Sequence, residues 1–389
     1  MSERLIYVIA GEPSGDLLGA RLMKAIKARS DDKIRFIGIG GPNMVNEGLN
    51  SLFPMSDLSV MGLAEIIPHI PKLLKRIKQT IEDVQLQNPD CLITIDAPGF
   101  CFRVARKLKG KGIPLIHYVA PTVWAWKPGR AKKIAQFLDH LMVILPFEPP
   151  YFEKEGLPAT FVGHSVIESG IENTDAGAFK ERHGIPSDVP LLCVLPGSRY
   201  SEISQLLPIF KECVTSLKEK FPTLRIVLPT VANVAKTVKE DTITWGVPVL
   251  VVEGQDEKFG AFKAANAALA ASGTVSLELA LAKTPTVITY RLKKMTHWIA
   301  SRLIKAKYAS IVNMLHNRYV TPELLQDDCC PEKIIPLISD LLAQKQTNFD
   351  QHKDFDAALK MLGLGDEKSP SERAADCVLS IIDTAQKEV

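Results

Sequence analysis

The chain has 389 residues, 46% of them hydrophobic and 23% charged. That balance excludes a disordered or low-complexity protein, and the length suits two or three domains at roughly 150 residues each. Forty-seven Lys and Arg against 44 Asp and Glu leave a net charge of +3, too near neutral for generic nucleic-acid binding, although a local basic patch stays open.

The chain opens MSERLIYVIAGEPSGD. The apolar run at 5–10 is too short for a secretory signal and meets Glu12 and Asp16 at once, so it reads as a buried first strand. No run approaches the ~20 apolar residues that span a bilayer. Seven cysteines, an odd number without a CxxC pair, point to reduced thiols in a cytoplasmic protein and to no metal site.

GEPSGDLLGA (11–20) follows the first strand and opens a helix. Its glycines allow close backbone approach, Ser14 is positioned to cap, and free N–H groups there favour an anion or sugar hydroxyls. The alternative is a plain strand–helix turn. A strand is expected at 34–39. The segment 64–84 then carries a helix begun by Pro71, with Leu73, Leu74, Ile77, Ile81 and Val84 on one stripe. Ile66, Ile67 and Ile70 precede that stripe, and Lys72, Lys75, Arg76 and Lys78 flank it. Such a segment either lies in a membrane interface or packs on a core with solvated lysines.

The strand 91–95 ends in Asp96, followed by APGF. A carboxylate there is costly to bury unpaired; it serves either as a general base towards a hydroxyl or as a helix cap. A helix at 102–111 and strands at 115–119, 140–145 and 160–162 follow. HYVAPTVWAWKPGRAKKI (117–134) sets Trp124 and Trp126 beside Lys127, Arg130, Lys132 and Lys133, which suits sugar stacking or phosphate contact, or else a packed loop with a basic helix start.

Residues 168–190 are polar and turn-rich, and a second alternation of strands and helices begins, with strands at 191–195, 225–228, 247–252, 267–271 and 286–290. Nearly continuous apolar strands between helices indicate parallel sheets covered on both faces. The expected fold is α/β: two doubly wound Rossmann-like domains, at 1–168 and 169–345, facing a cleft, with a helical tail at 346–389 packing back on the first domain or on a partner. Ligands of such sheets bind beyond the carboxyl ends of the strands, where two more motifs lie. In LPGSR (195–199), Ser198 and Arg199 reach a helix start that is electrostatically poor for a cation unless an anion binds there. In ASGTVSLELA (271–280), Ser272, Gly273 and Thr274 offer N–H groups to a diphosphate, and Glu278, one helical turn on, suits ribose hydroxyls. The alternative there is an ordinary capped helix.

Taken in order, GEPSGD, GGPNM, SVMGLAEI, DAPGF, the HYVAP block, LPFEPPYF, FVGH, LPGSR and ASGTVSLE resemble the lipid-A-disaccharide synthase family from residue 5 to about 330. Cys101 departs from the asparagine expected in many members. The resemblance implies an inverting glycosyltransferase of the B-type fold (GT-B) in Gram-negative bacteria, peripheral on the cytoplasmic face of the inner membrane and using neither metal nor cofactor. The implied donor is UDP-2,3-diacylglucosamine and the acceptor 2,3-diacylglucosamine 1-phosphate (lipid X). UDP and the β-1,6 disaccharide 1-phosphate are the products. On that reading Asp96 is the base and Arg199 stabilises the leaving group. Ser198, Glu202, Ser272, Gly273, Thr274 and Glu278 bind the UDP-sugar with Arg199, joined by Gly254, Gln255 and Asn313. Glu12, Ser14, Gly15, Trp124, Lys127 and Arg130 face the acceptor or a sugar. Ile66, Ile67, Ile70, Leu73 and Leu74, with Lys72, Lys75 and Arg76, dock on the membrane. A homodimer by exchange of C-terminal segments stays open. The competing reading is a UDP-N-acetylglucosamine enzyme of the same fold, a 2-epimerase or a peptidoglycan-type transferase.

Overall fold

The computed structural model describes residues 3–30, 33–58, 70–125, 129–293, 307–343 and 351–387. Two parallel sheets organise the chain. The first holds β1 (Glu3–Ala10), β2 (Lys33–Ile39), β3 (Asn50–Ser51), β4 (Cys91–Ile95), β5 (Leu115–Tyr118), β6 (His140–Val143) and β7 (Ala159–Phe161), in the order β3-β2-β1-β4-β5-β6-β7. The second holds β8 (Leu191–Leu195), β9 (Arg225–Thr230), β10 (Val249–Glu253), β11 (Ala267–Ala271), β12 (Thr286–Tyr290) and β13 (Glu323–Leu325), in the order β10-β9-β8-β11-β12-β13.

The sequence reason is visible in the central strands. In β1, Tyr7 and Ile9 enter one core while Ile6, Val8 and Ala10 enter the other. In β8, Leu192 and Val194 face one way and Leu191, Cys193 and Leu195 the other. A strand buried on both faces needs apolar side chains at every position, and helices supply the cover. Each fully buried Leu, Ile or Val stabilises the fold by about 1.5–3 kcal/mol relative to an exposed one. The two strands absent from the sequence reading, β3 and β13, are only two and three residues long and carry polar Asn50, Ser51 and Glu323, so no apolar run announces them.

Both sheets reverse their strand order once, between β1 and β4 and between β8 and β11. At such a switch point the loops leaving adjacent strands part to opposite faces and open a crevice. Register puts the strand ends level: Ala10 pairs with Ile95, and Leu195 with Ala270. The loops beginning at Gly11 and Asp96 therefore leave one switch point, and those beginning at Pro196 and Ser272 leave the other.

The chain divides into two compact units, Met1–Ser165 with Gly365–Val389, and Val166–Leu364. The tail is shared between them. Its helix Gln351–Met361 packs on the second unit, where Leu359 joins the core. Its last helix, Pro370–Lys387, lies along Pro13–Arg29 in the first, adding Ala374, Ala375, Val378 and Ile382 to the core of Ile6 and Val8. Arg29 pairs there with Asp376 at 3.2 Å. All seven cysteines are free thiols, and among the described residues no helix is long and apolar enough to cross a membrane.

Candidate active site

Asp96 leaves β4 in a strained conformation. Its φ is +47°, that of Ala97 is +43°, and Val119, just beyond β5, stands at +76°. Non-glycine residues rarely enter this region, and a β-branched one less still. Each such residue costs on the order of 1–3 kcal/mol and persists where the surroundings impose it, commonly at functional sites. The Asp96 N–H is held by the Tyr118 carbonyl at 3.0 Å. Its carboxyl is partly buried, and burial raises its pKa, against a lowering bond from the Ala97 N–H. A raised carboxylate pKa strengthens the group as a proton acceptor. The helix that follows, Pro98–Leu108, takes Ala97 as its N-cap and receives no side-chain cap, so the capping alternative for Asp96 falls away.

The loop after β1 lies against this turn. A Cβ on Gly11 would meet the Ala97 Cβ at 2.8 Å, so only glycine lets the two loops touch. Two expectations for GEPSGD change, and Asp16 gains a structural role. Ser14 does not cap the helix Pro13–Arg29; Glu12 occupies the N-cap position and no side-chain cap bond forms. Gly15 is buried against Ala10 and Ile95, which makes it a packing residue rather than a sugar contact. Asp16, 1% exposed, accepts from the N–H groups of Gly41, Asn43 and Met44 and from Asn43 Nδ2 at 2.8–3.0 Å, tying the GGPNM loop down. Of the predicted acceptor residues in this loop, Ser14 is exposed, Glu12 half-buried and Gly15 buried.

In the HYVAP block, His117 is buried, bonds Thr94 Oγ1 through Nδ1 at 2.7 Å and packs edge-on against Phe102. Burial pulls its pKa down to about 3, so it stays neutral and structural. Trp124 gives its indole N–H to Glu148 at 3.2 Å and packs on Phe147, leaving a half-buried ring but no donor for a sugar. Arg130 begins the helix Arg130–Ala135. Lys127 and Trp126 lie outside the described residues, as do Ile66 and Ile67.

The basic helix is Ile70–Gln87, with Pro71 second rather than first. Ile77 and Val84 are buried, whereas Ile70 and Leu74 are 43% and 57% exposed. Leu73 is half-buried and Lys75 exposed. Lys72 and Arg76 are not free cations: both pair with Asp57, at 2.6 and 2.7 Å, and the Arg76 guanidinium stacks on Phe53. The apolar half of the docking expectation thus has exposed side chains, while two of its three cations share the single carboxylate of Asp57.

In the second unit the two predicted motifs meet. A cavity of about 330 Å³ is lined by Gly197, Ser198, Arg199 and Glu202 from one switch-point loop and by Ser272, Gly273, Thr274 and Glu278 from the other. Gly197 sits at φ +112° with Glu202 folded under it. Glu202 accepts the Ser198 N–H at 3.0 Å and pairs with Arg199 at 3.2 Å, so it shapes the loop instead of facing a ligand. Arg199 remains 64% exposed. The Ser272 N–H is taken by the Thr289 carbonyl and its Oγ by that of Ala309, which removes both from the expected anion cradle. The N–H groups of Gly273 and Thr274 have no acceptor among the described residues.

Two lining residues escaped the sequence reading. Lys258, from the helix Gln255–Ala264, reaches Glu278 at 2.8 Å. Thr230, at the end of β9, keeps a buried Oγ1 with no partner among the described residues. Neither belongs to a recognisable motif; only the strand-end position of Thr230 hinted at it. Gly254 and Gln255 do not line this cavity, although they start the helix that carries Lys258. Asn313 is fully buried and fully bonded: Nδ2 donates to the Thr321 carbonyl and Glu323, and Oδ1 accepts from the N–H groups of Val320 and Thr321. Its capacity is exhausted by the loop it holds, so it does not serve the nucleotide.

Comparison with known proteins agrees with these features. A family model described as lipid-A-disaccharide synthetase matches residues 6–376. The chain is 50% identical over 384 residues to a lipid-A-disaccharide synthase of Rhodospirillum centenum, covering 98% of this chain and 96% of the relative. It is 52% identical over 382 residues to one of Paramagnetospirillum magneticum, covering 97% of each. Among solved structures, a UDP-N-acetylglucosamine 2-epimerase from Rickettsia bellii superposes with a TM-score of 0.64 at 15% identity, over 100% of this chain and 99% of the other. That likeness concerns the fold, which is GT-B, and leaves the chemistry to the sequence relatives.

Proposed function

We propose a division of labour for a chain that belongs to the lipid-A-disaccharide synthase family and is an enzyme of lipid A disaccharide synthesis: the first unit activates the acceptor and the second grips the nucleotide. The acceptor is 2,3-diacylglucosamine 1-phosphate and the donor UDP-2,3-diacylglucosamine. The acceptor 6-hydroxyl attacks the anomeric carbon from the face opposite UDP. One C–O bond forms as the C–O bond to the diphosphate breaks, which inverts that centre. Asp96 takes the hydroxyl proton. The charge developing on UDP falls to Arg199 and to the open N–H groups of Gly273 and Thr274, with Ser198 beside them. Lys258 adds a cation at the same cavity, and the lone hydroxyl of Thr230 gains a partner when the donor binds. In this reading the transfer needs no metal and no cofactor.

The observation that carries the reading is the pairing of a strained, partly buried carboxylate at one switch point with a cation-bearing, N–H-lined cavity at the other. Substrates with acyl chains stay in lipid, so the enzyme works at the membrane surface. Exposed Ile70 and Leu74, with Lys75, support docking on the cytoplasmic face of the inner membrane. A homodimer by exchange of C-terminal segments stands as a further proposal. The test is UDP release with each lipid alone and with both together. Release only with both is expected; release from donor alone, or epimerised donor without transfer, would defeat the reading.

A further inference from the structure

Resting on that reading, we infer that a second built pocket, on the first unit, takes the phosphate of the acceptor lipid, and that the groove beside it takes one of its acyl chains. The pocket is a cavity of about 580 Å³ between the helices Pro98–Leu108 and Arg130–Ala135. Four cations line it: Arg103 and Arg106 from the first helix, Arg130 and Lys133 from the second. Among the described residues no acidic side chain lines it and none of the four is in an ion pair. This differs from the neighbouring helix, where Asp57 pairs with two of the basic residues. Four uncompensated cations around one hollow repel one another, and an anion relieves that repulsion. Three of the four are arginines, whose planar guanidinium fork is suited to a phosphate. The Arg106 guanidinium is already held 5.0 Å over the Phe137 ring, which lowers the entropy lost when it grips a ligand.

Two further features select a lipid monophosphate over other anions. Arg103 and Arg106 also line an adjoining groove of about 550 Å³, where apolar Leu74, Ile77 and Ile81 stand beside Lys107 and the Lys78–Glu82 pair. Leu74 is 57% exposed, so the groove offers an uncovered apolar surface continuous with a cationic pocket. An anionic headgroup with a hydrocarbon tail complements both at once; a nucleotide or a free sugar phosphate complements only one. The pocket also includes Pro98 and Gly99, the first turn of the helix that follows Asp96. A phosphate there meets the positive end of that helix. That turn lies two residues after Asp96 in the chain, so a phosphate held there orients the sugar towards the proton acceptor.

The experiment measures equilibrium binding, without donor, of detergent-dispersed 2,3-diacylglucosamine 1-phosphate and of its phosphate-free counterpart to the full-length chain. The native chain is expected to prefer the phosphorylated lipid by about tenfold or more, the range of charge-assisted hydrogen bonds. Arg103→Gln with Lys133→Gln, both at exposed positions, and separately Arg130→Gln, are expected to erase most of that preference and to leave UDP binding, the report of an intact second unit, unchanged. A preference that survives both variants overturns the proposal. So does loss of binding to phosphatidylglycerol vesicles with the lipid preference intact, because the cations would then serve the bilayer surface. A chain that keeps the preference but releases no UDP with both substrates present would defeat the transferase reading and leave the phosphate site standing.

Discussion

Glu148 illustrates how a single residue here departs from its surface appearance. It lies in LPFEPPYF, is 1% exposed, and accepts the Trp124 indole N–H and the N–H groups of Ile144 and Leu145. Burial outweighs those three bonds and lifts its pKa from 4.5 to about 7. The folded state therefore holds a proton that the unfolded state has released, so across pH 4.5 to 7 its contribution to stability falls as pH rises. Below that window the penalty is absent. Relative to Glu148→Gln, the native chain is expected to lose thermal stability as pH rises through this range, and its Trp124 fluorescence should titrate near 7; parallel melting curves would refute the assignment. Such residues also mark how far sequence reading reaches. Asp96 and Arg199 were visible because each ends an otherwise apolar strand or opens a helix with the wrong charge. The structural role of Asn313 was not, because a polar residue that saturates its bonds inside the fold reads in sequence like one that faces a ligand.

Among elements, the strand ends carry the chemistry and the strain. Asp96, Ala97 and Val119 all adopt positive φ at the carboxyl edge of the first sheet, and Gly11 is the concession that lets the neighbouring loop close on them. Gly11→Ala forces a Cβ to within 2.8 Å of the Ala97 Cβ. Overpacking of this kind costs about 1–3 kcal/mol. It should lower kcat at least tenfold by displacing Asp96, with UDP affinity unchanged; unaltered kcat would show that the contact does not position the base. The long strands were readable because burial on both faces demands unbroken apolar runs. The short edge strands were not, since a two-residue β3 lives on backbone bonds alone. The cavity of the second unit was readable in its two loops but not in Lys258 and Thr230, which other elements bring to it.

At the level of the molecule, the proposed division of labour assigns one part of the reaction to each of two sheets with the same switch-point logic, and proposes an apolar helix edge as the docking surface on lipid. Ile70→Ser with Leu74→Ser should reduce recovery of the chain with floating anionic vesicles several-fold while leaving the melting temperature nearly unchanged, because both side chains are exposed. Equal recovery would move the docking surface elsewhere. The most direct test of the division of labour compares Asp96→Asn with Arg199→Ala in both turnover and UDP binding. The account predicts that Asp96→Asn lowers kcat by about 10²–10⁴ with an unchanged UDP dissociation constant, and that Arg199→Ala weakens UDP binding as well as turnover. An Asp96→Asn enzyme that turns over at near the native rate would contradict it.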